Sequence, residues 1–153
     1  IPRFREMAAG YGLQTEGFAA QTTFFDYDRD GDLDAYVLVN LMDMRYANQY
    51  LSRDLEANSP TADRLLRNDF DPRLGHAVFT DVSKEAGIQA RGYGHGVSVA
   101  DFNGDGWPDL YVSNDYLSND HFFINNRNGT GRHAGFTNRV HEAFRHLSWS
   151  AMG

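Results

Sequence analysis

A chain of 153 residues, 41% apolar and 23% charged, has the material for one packed domain or for a piece of something larger, and it is too short to be a complete large enzyme. Fourteen basic against 21 acidic residues give a net charge of -7, which speaks against a surface built to grip a phosphate backbone, so no nucleic-acid partner is expected. The absence of cysteine removes disulfides, thiolate metal sites and cysteine nucleophiles, and no apolar run approaches the roughly 20 residues of a membrane-spanning helix.

A repeat organises the chain. Residues 4–40 lie over 79–115 at a constant offset of 75, which brings Gly12 onto Gly87, Asp26 onto Asp101, Asp34 onto Asp109 and Tyr36 onto Tyr111. Further along the offset drops to 57, so that residues 64–68 fall on 121–125 and Phe79 falls on Phe136. The first copy therefore carries 18 extra residues, located within 41–63.

In chain order, short apolar runs bounded by turn residues predict strands at 19–25, 35–39, 64–68 and 78–82, then at 97–102, 110–113, 121–125 and 136–139. Four strands per unit is the anatomy of a propeller blade, so the expected fold is all-β: two consecutive four-stranded blades of a β-propeller that would hold six to eight when complete. Residues 1–16 read as the closing strand of a preceding blade, at 4–7, with its connector. The first blade covers 17–87, the second 88–147, and 148–153 would start another; the ends fall inside repeats, as in a segment of a longer polypeptide. Ser83, Lys84, Glu85, Ala86 and Gly87 can make at most one helical turn ending on glycine. The insertion at 41–63 has helical spacing at Met44, Ala47, Leu51 and Leu55, and Met42, Tyr46 and Tyr50 are adaptable contact residues, so it reads either as a solvated loop or as a partner-binding feature.

Eight of the 16 Asp crowd into two windows, 26–34 and 101–109, and both fit D-x-[DN]-x-D-G-x-x-D. Calcium takes six to eight oxygen ligands in a flexible cage. Asp26, Asp28, Asp30 and Asp34 with the Asp32 carbonyl would supply them in the first loop. Asp101, Asn103, Asp105 and Asp109 with the Trp107 carbonyl would do so in the second. Four clustered carboxylates repel one another unless a cation sits among them. An EF-hand needs a bidentate Glu at position 12, where this sequence has Val37 and Val112 followed by strand formers, so that reading fails. The expected cofactor is two Ca²⁺, one per loop, with the first tighter because Asn103 replaces a carboxylate.

The loops, the trailing Tyr-Val strands, the strand ends at Asn68 and Asn125 and the run 79–88 resemble the FG-GAP/VCBS repeats of integrin-α-like propellers, nearest to the bacterial cartilage-acidic-protein-like group. The resemblance covers residues 4–153 apart from the insertion. It implies a calcium-binding, non-enzymatic, extracellular, cell-surface or periplasmic module for structure, adhesion or assembly, partnered by neighbouring blades and by a protein or carbohydrate ligand. The alternative is the propeller part of a calcium-dependent polysaccharide lyase or hydrolase. Six scattered His show no zinc spacing, Ser98, Ser113 and Ser118 lack a nucleophile-elbow context, and no catalytic residue is assigned.

Overall fold

The computed structural model describes residues 1–40, 62–88, 90–115, 118–128 and 135–143. Two four-stranded antiparallel meanders follow one another. The first contains β1 (Phe18–Phe25), β2 (Asp34–Asn40), β3 (Arg64–Asp71) and β4 (His76–Asp81). The second contains β5 (Tyr93–Ala100), β6 (Asp109–Asp115), β7 (His121–Asn125) and β8 (Phe136–Asn138). Single helical turns, α1 (Ala8–Tyr11) and α2 (Val140–Ala143), complete an all-β architecture that matches two blades of a partial β-propeller. No helix among the described residues is long and apolar enough to cross a membrane.

The strand β2 shows how the blades stack. Its residues Asp34 to Val39 are all buried, because both faces are covered. Tyr36 and Leu38 point into one core with Leu65, Ile88, Val97, Leu110, Val112, Phe123 and Phe136, which fills the seam between the meanders. Ala35, Val37, Val39 and Leu66 point to the other face, where Leu13 and Phe79 pack on them. Period-two alternation therefore sends successive residues to different seams.

The inner strands β1 and β5 are tied by a side chain. Both bulge at the same repeat position, between Ala19 and Gln21 and between Gly94 and Gly96. Bulging leaves the Gln21 amide facing β5, where it donates to the Val97 carbonyl at 3.2 Å and accepts from the Val97 N–H at 3.1 Å. Among the described residues the sheet itself crosses between blades where Asn40 stands opposite Tyr93.

The turn predicted to end on Gly87 forms, and the same turn, not predicted, ends on Gly12. Gly12 and Gly87 close their turns at φ 72° and 76° and lie against the backbone carbonyls of Phe79 and Phe136, the same repeat position in successive blades. A Cβ at Gly87 would stand 2.7 Å from the Phe136 oxygen. These glycines are thus fixed by conformation and by close approach together.

Three expectations change. The strand β5 begins at Tyr93, four residues early, because Gly94 is a strand residue: a Cβ there would meet Leu38 Cδ1 at 2.5 Å, so its glycine marks close approach and not a turn. The strand β3 runs on to Asp71, making a hairpin with β4 through a turn at Gly75. Residues 4–7 form no strand; Phe4 is exposed, and a ladder cannot form without a neighbour to receive its hydrogen bonds. The residues with helical spacing within 41–61, the contact residues Met42, Tyr46 and Tyr50, and the segment 148–153 lie outside the described residues.

Candidate metal centre

The first aspartate loop joins β1 to β2 and folds around its own carboxylates. Asp26 accepts the N–H of Asp30 at 3.1 Å on one oxygen and that of Gly31 at 3.2 Å on the other. Asp28 accepts the Asp30 N–H at 3.3 Å, and Asp30 accepts the Asp32 N–H at 3.1 Å. Positive φ at Arg29 (60°) and Gly31 (99°) turns the chain tightly enough to aim these groups inward. Asp34, already in β2, accepts the Tyr27 N–H at 3.1 Å and the Asn68 N–H of β3 at 2.8 Å, which fastens the loop to the sheet.

The outcome is a group of three acids. Asp26, Asp28 and Asp34 each bring a carboxylate oxygen to within 4.8 Å of the others. Asp30 stays exposed, outside this group. Asp28 is wholly buried, and among the described residues its Oδ2 has no hydrogen-bond partner, nor does Oδ1 of Asp32. Burial, then the Asp30 charge, pushes the Asp28 carboxyl up to about 6. Burial raises Asp34 to about 7 against the lowering effect of its bonds from Asn68 and Tyr27. A hard divalent cation fits this donor set: it would take the orphaned Asp28 oxygen and, by favouring the charged carboxylates, offset both upward shifts. Asp34 can still contribute, since each of its oxygens keeps a second lone pair.

The second loop, between β5 and β6, repeats the first bond for bond. Asp101 accepts from Asp105 at 2.9 Å and Gly106 at 2.7 Å, Asn103 from Asp105 at 3.0 Å, and Asp105 from Trp107 at 2.9 Å. Asp109 accepts from Phe102 at 3.0 Å and from the Asn125 N–H of β7 at 2.8 Å. The electrostatics differ. The Asn103 amide donates to Asp105 Oδ2 at 2.8 Å, and Arg127 pairs with the same oxygen at 3.3 Å. The Gly106 N–H holds Asp101 below its ordinary range, while burial raises Asp109. Among the described residues no three-acid group comparable to the first forms here.

Two polar brackets escaped sequence reasoning. Asn68 and Asn125 each hold the last aspartate of a loop through the backbone and reach the preceding carbonyl, Leu33 at 3.1 Å and Pro108 at 3.3 Å, through the amide. Asp63 accepts the Tyr36 hydroxyl and the Val39 N–H, both at 2.8 Å. Asp120 accepts the Tyr111 hydroxyl at 2.6 Å and the Asn114 N–H at 2.8 Å. Tyr36 and Tyr111 differ by 75 and Asp63 and Asp120 by 57, so the two offsets of the repeat carried this signal.

Comparison with known proteins agrees with this geometry. The FG-GAP repeat family matches residues 93–132, and a second family, described as an FG-GAP-like repeat, matches residues 54–112. No curated protein matches the chain. With the paired meanders and their repeated loops, these matches show that residues 54–132 carry FG-GAP-type β-propeller repeats.

Proposed function

We propose that the chain is a calcium-binding propeller segment whose ions are structural, one in each aspartate loop. The observation that carries the reading is the convergence of Asp26, Asp28 and Asp34 within 4.8 Å around a buried Asp28 oxygen that has no hydrogen-bond partner among the described residues. Asp26, Asp28, Asp30, Asp34 and the Asp32 carbonyl would hold the first ion. Asp101, Asn103, Asp105, Asp109 and the Trp107 carbonyl would hold the second. When bound, the ion supplies charge neutralisation and a cross-link. The chain's own residues do the rest. Asp34 and Asp109 anchor each loop to β3 and β7 through the Asn68 and Asn125 N–H groups, so order in the loop is order in the blade.

Modules of this kind tolerate weak sites, with dissociation constants of roughly 10⁻⁴ to 10⁻³ M, where calcium is abundant. We therefore extend the reading to an extracellular, cell-surface or periplasmic setting and to a role in structure, adhesion or assembly, in the manner of the cartilage-acidic-protein-like group. Isothermal titration with CaCl₂, together with melting in calcium and in chelator, tests it. Heat of binding and a calcium-dependent rise in Tm that Asp28→Asn diminishes are expected; no heat and no shift would discard the proposal.

A further inference from the structure

Resting on that reading, we propose that the two loops bind their ions cooperatively, and that Asn125 and Arg29 carry the coupling. Asn125 is 2% exposed and lies between the loops. Its N–H holds Asp109 Oδ1 at 2.8 Å, and its side-chain amide donates to the Tyr27 carbonyl of the first loop at 2.9 Å. The Tyr27 N–H in turn holds Asp34 Oδ2 at 3.1 Å. Three hydrogen bonds, linked through the covalent frames of Asn125 and Tyr27, thus join the last aspartate of one loop to the last aspartate of the other.

Arg29 adds a second link. It occupies the fourth position of the first loop at φ 60°, and its guanidinium lies 5.1 Å from the ring centroid of Trp107, the seventh position of the second. Fixing the first loop therefore fixes Arg29 over the indole and Tyr27 under the Asn125 amide. Ordering that one ion has already imposed need not be imposed again by the next, which makes the coupling positive. Couplings of this type amount to about 5-fold to 150-fold in affinity.

The test is a double-mutant cycle read with Tb³⁺, whose luminescence in the second loop is sensitised by Trp107, in a Trp149→Phe background that removes the other indole. Asp30→Ala, which cripples the first loop, is expected to raise the second-loop Tb³⁺ dissociation constant by about 5-fold or more. Combined with Asn125→Ala or with Arg29→Ala, the same substitution is expected to have a clearly smaller effect. Arg29 is exposed, so its cycle decides the matter if Asn125→Ala fails to fold by circular dichroism. Second-loop affinity unchanged by Asp30→Ala would overturn the coupling while leaving the metal sites standing. An undiminished Asp30→Ala effect in the variant backgrounds would overturn the assignment to Asn125 and Arg29. No displaceable lanthanide or calcium binding at either loop would overturn the metal reading itself, and the coupling with it.

Discussion

Acidification distinguishes a filled aspartate cage from a set of turns. Without the ion, the folded protein holds Asp28 at about 6 and Asp34 at about 7, both above the ordinary 3.8. Raised carboxyl groups favour proton uptake by the folded state, so the ion-free loop is relieved as pH falls from about 7 towards about 4. The cation needs the charged form, and protons compete with it over the same window. Between about pH 7.5 and 5.5 the competition costs about 25-fold in apparent affinity through Asp34 and about 4-fold through Asp28, about 100-fold together. With calcium about 100-fold above its dissociation constant at the higher pH, linkage stabilisation of about 3 kcal/mol would shrink to below about 1 kcal/mol. For a domain of this size the calcium-induced rise in Tm should fall from about 5–11 °C to about 1–2 °C. Paired melts in calcium and in chelator at each pH give the difference directly and cancel groups outside the loops, such as Asp63. A calcium-induced shift equal at both pH values would refute the reasoning, because carboxylates of ordinary pKa are fully ionised throughout that range.

Other outcomes follow from the brackets and the seams. Gly87→Ala should destabilise by about 2–4 kcal/mol, combining an αL cost of about 1–2 kcal/mol with overpacking against the Phe136 carbonyl, whereas Gly75→Ala, at φ 72° with nothing within 4 Å, should show the first part only; denaturant unfolding of the two separates them. Tyr36→Phe leaves the buried Asp63 carboxylate with one donor and should cost about 1–3 kcal/mol near pH 8. Burial raises Asp63 to about 7, so the loss should shrink near pH 5.5, where the group is neutral; equal losses at both pH values would contradict this. Tyr111→Phe should cost less, because Asp120 is half-exposed and water can replace the hydroxyl. Asp30→Ala and Asp105→Ala should each lower Tm in calcium and change it little in chelator, and scanning calorimetry under both conditions checks this.

The sequence determined what is periodic. Strands are short apolar runs that end on turn residues, so all eight could be located from one strand pattern laid over itself, and the bounds moved by only a few residues. The aspartate loops were equally legible, because a cage of oxygens built from one short segment needs its ligands at fixed local spacing. What escaped lies between segments far apart in the chain. Asn125 meets Tyr27 across 98 residues and Tyr36 meets Asp63 across 27, and a lone Asn or Asp in a strand flank has no local pattern to mark it. The early start of β5 was hidden for the same reason: a glycine that admits a turn and a glycine that admits a neighbouring Leu38, as Gly94 does, look alike until the neighbour is in place. Tertiary structure alone decided which acids converge, burying Asp28 and Asp34 while leaving Asp30 in solvent, because burial depends on what packs over the loop and not on spacing along it.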